Sequence, residues 1–207
     1  MTRSMTTALA TALSAVAFTF AAGSAQAAIN IDFEGTNAPC CFSGTTPLTN
    51  YYAAQGVTFA GVGAIGGSIL NQSGNFGFSA RSGTDFLAFN VPYGTSNIEQ
   101  ISFAQSASNV SIWAANIFGG QVSMQAFDAQ NNLLATSSIN SSANWTQLSV
   151  SANNIASVRL IGAGNYYAYD DLSISAVPES ETYALMLGGL ALMVWRARRQ
   201  KTAGTLS

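Results

Sequence analysis

The chain lacks histidine altogether, and it has only seven basic residues and two cysteines among its 207 residues. Without histidine, a Ser-His-Asp triad, a histidine general base and histidine-ligated zinc are excluded. Seven basic residues against nine acidic ones give a formal net charge of −2, which excludes nucleic-acid binding of the usual electrostatic kind. The two cysteines form one dipeptide, Cys40-Cys41, which excludes a disulfide framework and a cysteine-rich metal site.

The first 27 residues have the three parts of a secretory signal peptide. Arg3 supplies the positive n-region, an apolar stretch runs from Leu9 to Ala22, and the small residues Ala25 and Ala27 form the cleavage site. The apolar stretch is short for a membrane span, which needs about 20 residues. The sequence therefore predicts export through the Sec translocon and removal of residues 1–27.

The C-terminal end carries a second targeting pattern, which consists of a short motif, an apolar run and a basic cluster. The motif is Val177-Pro178-Glu179, and the apolar helix is predicted over 182–195. Such a helix is about 21 Å long, whereas a bilayer core is about 30 Å thick, so the predicted transmembrane helix is short. Its anchor residues are Tyr183, Leu185, Leu187, Leu190, Leu192, Val194 and Trp195. The basic residues that follow, and that would stay cytoplasmic, are Arg196, Arg198, Arg199 and Lys201.

Together, these three parts resemble the PEP-CTERM sorting signal of Gram-negative bacteria that make extracellular polysaccharide. The resemblance covers residues 177–201 and leaves 202–207 as a cytoplasmic tail. It implies that an exosortase, a membrane-embedded protease or transpeptidase, processes the chain near Pro178-Glu179. The released protein would then reach the cell envelope or the polysaccharide matrix. Ser180 stands where the family motif usually has a second proline. The alternative is an uncleaved tail that tethers the exported part in the periplasm.

Residues 28–176 are the predicted exported body, which is poor in charge. It has seven acids, two arginines and no lysine, which give a net charge of −5. Apolar residues alternate with polar ones in short runs such as 98–103 and 110–114, and turns rich in Asn, Gly and Ser separate these runs. The pattern predicts an all-β fold. We expect a single β-sandwich of jelly-roll type, which resembles the galactose-binding-like domains.

Acids near both ends of the body are the candidate metal ligands. Asp32 and Glu34 alternate with apolar residues in the first predicted strand, so both carboxylates project from one face. Asp170 and Asp171 lie in the last predicted strand, and the first and last strands of a jelly-roll commonly lie side by side. Carboxylate oxygens suit Ca²⁺, and the carbohydrate-binding jelly-rolls that the body resembles carry a structural calcium at such a position. One structural Ca²⁺ is therefore predicted, with ordinary exposed acids as the alternative.

Neighbouring aromatic residues are the candidate surfaces for stacking against sugar rings. Adjacent residues on a strand point to opposite faces, so both rings of an adjacent pair cannot face the core. The alternative is that one ring packs inside while the other covers a loop. The candidates are Tyr51-Tyr52, Phe76-x-Phe78 and Tyr166-Tyr167, and the predicted glycan residues are Tyr166 and Tyr167.

The Cys40-Cys41 dipeptide leaves three states open in an exported domain. The two residues can bond to each other across a distorted peptide, bond to another chain, or remain thiols. Their spacing does not choose among these states.

The sequence predicts a non-enzymatic exported protein that its tail delivers to the cell envelope or the extracellular polysaccharide matrix. The first alternative is a carbohydrate-binding module with a structural calcium. The second is a secreted glycoside hydrolase, for which two carboxylates at the right separation are the minimum requirement. No catalytic residue is assigned. The expected partners are the Sec translocon, an exosortase and extracellular polysaccharide.

Overall fold

The computed structural model describes residues 28–41, 44–45, 47–61, 66–91, 94–95, 98–162, 167–176, 186–194 and 196. The chain divides into two compact units, Gln26–Pro178 and a unit made of Met1–Ala25 and Glu179–Ser207. The predicted signal peptide, with Ala25 and Ala27, lies outside the described residues. The predicted sorting motif, Val177, Pro178 and Glu179, lies outside them as well.

The described part of the body consists of antiparallel strands. Two short 3-10 helices, Ala53–Gln55 and Gln72–Gly74, lie between them. The strands are β1 (Ile29–Ile31), β2 (Val57–Gly61), β3 (Ser68–Asn71), β4 (Asp85–Ala88), β5 (Asn90–Val91), β6 (Gly94–Thr95), β7 (Ile98–Asn116), β8 (Gly120–Phe127), β9 (Leu133–Ser141), β10 (Thr146–Ile161) and β11 (Tyr167–Ala176). The prediction of an all-β fold is confirmed.

The described residues form one sheet of nine strands. Seven of these strands follow the order β3-β4-β11-β7-β10-β8-β9. β1 pairs with β11, β2 pairs with β7, and β5 and β6 form a separate two-stranded sheet. β7 and β10 pair along their whole length, with register shifts between Ser151 and Ser157. On its other edge, β7 pairs with β11 through residues 107–116 and with β2 through residues 99–103. Asn154 lies at the irregularity with φ of 62°, a left-handed conformation that asparagine tolerates.

The alternating apolar residues of these strands fill the main core. Its largest fully buried side chains include Phe33, Phe59, Ile101, Ile112 and Tyr169. Burial of each such side chain stabilises the fold by roughly 1.5–3 kcal/mol before entropy is counted. The main core thus unites residues from the first strand of the body to the last.

A second, smaller apolar cluster lies apart from the main core. It contains Leu70, Phe86, Ala88 and Ala168. Residues 72–84, which we call the strap, cover this cluster with Phe76, Phe78 and Ala80. Both strap phenylalanine rings lie 5.4 Å from the ring of Phe86, and the indole Nε1 of Trp145 donates a hydrogen bond to the carbonyl of Ser79 at 3.0 Å. The strap is therefore packed against the sheet rather than free of it.

In the second unit, residues 186–194 form a helix. Four of the predicted anchor residues, Leu187, Leu190, Leu192 and Val194, lie in this helix and are exposed. The described residues include no helix that is long and apolar enough to cross a membrane. Arg196 is also described and is exposed. The other predicted anchor and basic residues lie outside the described ranges: Tyr183, Leu185, Trp195, Arg198, Arg199 and Lys201.

Candidate functional site

The first and last strands of the body lie side by side, as the sequence analysis expects of a jelly-roll. β1 pairs with β11, with Ile31 opposite Leu172. This pairing brings the residues after β1 close to the first half of β11. Asp32 and Glu34 therefore share a neighbourhood with Asp170 and Asp171, but each acid has its own partners.

Asp170 is fully buried beneath the strap. Its Oδ2 accepts hydrogen bonds from the backbone amides of Arg81 at 2.9 Å and Ser82 at 3.2 Å, and its Oδ1 accepts one from the amide of Asp171 at 2.8 Å. Burial raises the pKa of the Asp170 carboxyl to about 7, while these three amides favour its ionised form. Asp170 therefore fixes the end of the strap to β11.

Asp171 and Glu34 hold the rest of this loop. Asp171 forms an ion pair with Arg81 and accepts a hydrogen bond from the Ser82 hydroxyl at 2.9 Å. Glu34 Oε1 accepts hydrogen bonds from the backbone amides of Thr84 at 3.0 Å and Asp85 at 2.7 Å. Glu34 thus satisfies two backbone donors that a sharp loop would otherwise leave without partners, whereas Asp171 holds the loop through the side chains of Arg81 and Ser82.

Calcium binding by these four acids stays a prediction. Within the described ranges, no three His, Cys, Asp or Glu side chains lie close enough together to hold a metal ion. The exposed Asp32 accepts the amide of Glu34 at 3.1 Å, and the other three acids bind the strap. Asp32 and Glu34 follow β1, which ends at Ile31, instead of alternating within the first strand as predicted, whereas Asp170 and Asp171 lie in β11. The sequence does not reveal the loop amides that these acids meet.

The predicted glycan residues do not form an exposed pair in the described structure. Tyr167 is 6% exposed, and its hydroxyl donates a hydrogen bond to the carbonyl of Gln121 at 3.1 Å. A buried ring offers no face to a sugar, so Tyr167 gives this prediction no support. Tyr166 lies outside the described residues.

Tyr51 is the exposed aromatic residue of the Tyr51-Tyr52 pair. It is 58% exposed, whereas Tyr52 is 6% exposed and lies edge-on to it, with ring centroids 4.9 Å apart. Tyr52 packs against Phe33 and Phe59 in the main core, each at a centroid distance of 6.0 Å. One ring therefore anchors the turn, and the other faces solvent.

The ring of Tyr51 lies at a groove of about 180 Å³, which we call the Tyr51 groove. Residues 36–39 form one lip, and Gly44, Pro47 and Leu48 form the other. The lining residues are Thr36, Asn37, Ala38, Pro39, Gly44, Pro47, Leu48, Tyr51 and Ile69. The amide of Asn71 donates to the carbonyl of Pro39 at 2.9 Å, and the amide of Leu48 donates to that of Gly67 at 2.9 Å, so both lips are tied to the sheet.

The lining of the Tyr51 groove combines apolar side chains with polar ones. Tyr51 and the two prolines supply apolar faces. The hydroxyl of Thr36 is buried and has no hydrogen-bond partner in the described part of the chain. Ligand sites are typically concave and mostly apolar, with a few polar groups that fix orientation. Sugars match this chemistry because they present apolar C–H faces edged by hydroxyls. Of the groove residues, the sequence identifies Tyr51 as a candidate for stacking. The residues of the two lips become apparent only from the folded structure.

No protein-family model matches the chain, and no curated protein matches it. Several solved structures are similar to the chain. One is TmCBM61 in complex with β-1,4-galactotriose, which is 12% identical, with 58% of this chain and 88% of that chain covered and a TM-score of 0.40. Another is the K1 cleaved adhesin domain of Lys-gingipain from Porphyromonas gingivalis W83, which is 13% identical, with 73% and 99% covered and a TM-score of 0.45. Neither TM-score reaches 0.5.

Proposed function

We propose that the protein is a non-catalytic, exported carbohydrate-binding protein with a jelly-roll body, and that the body binds a glycan in the Tyr51 groove. The observation that carries this proposal is a ring that is 58% exposed, that of Tyr51, in one groove with Asn37 and with a Thr36 hydroxyl that has no hydrogen-bond partner among the described residues. A sugar would stack its C–H face on Tyr51, and it would hydrogen-bond to the Thr36 hydroxyl once the lips separate enough to expose that buried atom. Asn37 would offer a further amide at the same lip.

The glycan is neutral in this proposal. The body carries seven acids and two arginines, and like charge disfavours association with an acidic polymer. The described lining of the groove provides an aromatic ring, prolines, a hydroxyl and an amide, which bind sugars without ionic contacts. A structural calcium at Asp32, Glu34, Asp170 and Asp171 is not required by this proposal.

Truncation of Tyr51 tests the proposed site. We expect Tyr51→Ala to weaken binding of the full chain to a neutral polysaccharide at least tenfold, because it removes the stacking surface at the centre of the groove. Binding isotherms on galactan, xylan and β-glucan measure the effect. Tyr51→Phe should retain most of the affinity, because the ring remains.

The matched control is Phe118→Ala, because Phe118 is 71% exposed and is not among the groove residues. It should leave the affinity unchanged. Equal binding by wild type and Tyr51→Ala would remove the Tyr51 groove from the proposal. Release of reducing sugar from a bound polysaccharide would instead support the hydrolase alternative.

The tail directs the body to the cell envelope or the extracellular matrix in the same proposal. Its support is the sequence pattern of 177–201 and the exposed apolar residues of the helix 186–194. We expect the protein recovered from its native host to begin after Ala27 and to end near Pro178-Glu179, as measured by intact mass and C-terminal peptide mapping. A chain that still ends at Ser207 would mean an uncleaved, tethered protein.

A further inference from the structure

Cys40 and Cys41 are joined to each other in a disulfide, which selects one of the three states that the sequence left open. Both residues are exposed. In the chain they lie between the two lips of the Tyr51 groove, after residues 36–39 and before residues 44–48. The disulfide is therefore close in the chain to both lips.

The backbone at the disulfide is in contact with both lips and with the strap. The amide of Gly44, on the second lip, donates a hydrogen bond to the carbonyl of Cys41 at 3.1 Å. Pro39, on the first lip, precedes Cys40 directly and accepts the amide of Asn71. Gly74 packs against the carbonyl of Cys40 so closely that a Cβ atom at Gly74 would overlap it. A change in the peptide between the two cysteines is therefore transmitted to both lips.

We propose that the Cys40–Cys41 disulfide is a reversible thiol-exchange site that sets the spacing of the lips of the Tyr51 groove. The co-reactant is a dithiol. Its thiolate attacks one cysteine sulfur, the S–S bond breaks, and the other cysteine leaves as a thiolate and takes up a proton. The second thiol of the reagent then displaces the first cysteine. In sum, the protein gains two electrons and two protons, and the dithiol is oxidised to its own disulfide.

The bridge restrains the lips because it closes a small ring through the peptide that joins neighbouring residues. Reduction opens that ring and returns rotational freedom to the peptide. The Gly44–Cys41 hydrogen bond then loses the geometry that supports it. A surface loop held by few backbone bonds opens locally at low cost, so residues 36–48 should open while the sheet stays folded.

Hydrogen exchange of the full chain, with and without dithiothreitol, tests this inference without any glycan. On reduction, we expect the amides of Gly44 and Asn71 to exchange at least tenfold faster, while the amides of Ile112 and Leu148 in the paired strands β7 and β10 stay unchanged. Alkylation with iodoacetamide under native conditions should then add two groups per chain. Cys40→Ser combined with Cys41→Ser should exchange like the reduced chain and should not respond to the reagent.

Two results would overturn the inference. One is a disulfide that dithiothreitol reduces only in denaturant, and the other is a reduced chain whose amides in 36–48 exchange as in the oxidised chain. The effect on glycan binding rests on the proposed function, and we expect reduction to weaken binding at least tenfold to whichever of galactan, xylan and β-glucan the oxidised chain binds most tightly. If the oxidised chain binds no polysaccharide, the proposed function fails, while the exchange data still decide the role of the disulfide.

Discussion

Replacement of Asp170 by alanine is expected to destabilise the body by about 3–5 kcal/mol, because it removes a buried carboxylate and leaves three partly buried backbone amides without their acceptor. These are the amides of Arg81, Ser82 and Asp171. Each buried donor left unpaired costs about 1–3 kcal/mol, and partial entry of water lowers the sum. Urea unfolding of the full chain, followed by circular dichroism, measures the change.

Two variants separate this effect from a general loss of acidic charge. Asp32→Ala removes an exposed acid whose one hydrogen bond within the described residues is to the neighbouring Glu34 amide, so stability should change by less than about 0.5 kcal/mol. Asp170→Asn keeps one acceptor oxygen but turns an amide donor toward backbone donors. Its free energy of unfolding should therefore lie between those of Asp170→Ala and Asp32→Ala. An Asp170→Ala protein as stable as wild type would show that the strap does not depend on this carboxylate.

Glu99→Gln is expected to make the body more stable in alkaline solution. Glu99 lies in β7, opposite Gly61 of β2 and Leu160 of β10, and it is fully buried. Neither carboxylate oxygen has a hydrogen-bond partner in the described part of the chain. Burial raises the pKa of Glu99 from the usual 4.5 to about 8, although the nearby amide of Gly67 acts in the opposite direction.

The sign of the pH dependence follows from this raised pKa. The protonated carboxyl of Glu99 is less costly to bury than the carboxylate. The contribution of Glu99 to the free energy of unfolding is therefore complete below pH 4.5, where this residue is protonated in the unfolded chain as well. It is lost as the pH rises to about 8, and no further loss occurs above that value. Each pKa unit corresponds to about 1.4 kcal/mol, so the total loss is on the order of 5 kcal/mol.

Thermal unfolding between pH 4 and pH 9 measures this effect. Wild type and Glu99→Gln should have similar midpoints at pH 4, and the variant should have the higher midpoint at pH 8. A shallower slope should remain in the variant, because the pKa of Asp170 is also raised, to about 7. Parallel curves for the two proteins would mean that Glu99 reaches solvent or finds a partner when it ionises.

The sequence predicts the strand content well because the alternation of apolar residues is strong. The runs 98–103 and 110–114, for example, are both parts of the long strand β7. The pairing of β1 with β11 also follows from the expected fold, and it brings the four acids into one neighbourhood. What the sequence does not reveal is which backbone donors those acids meet, because the strap residues 72–84 carry no regular pattern.

The glycan residues illustrate the same limit. Two adjacent tyrosines look alike in sequence at 51–52 and at 166–167. The exposed ring is at Tyr51, since Tyr52 fills a place in the main core, whereas Tyr167 is itself a buried residue. Nothing in the sequence marks Glu99 as a buried acid either, because an acid within an alternating run is expected on the solvent face. Its position among apolar partners becomes visible only when strands β2, β7 and β10 are assembled.

The location of the bound glycan is the most direct test of the proposed function. Hydrogen exchange of the full chain should be compared with and without the neutral polysaccharide that binds it most tightly. Binding in the Tyr51 groove predicts slower exchange in residues 36–41 and 44–52, with no change in the strap or in β9. Protection confined to another part of the body, with residues 36–52 unaffected, would contradict the assignment of this groove.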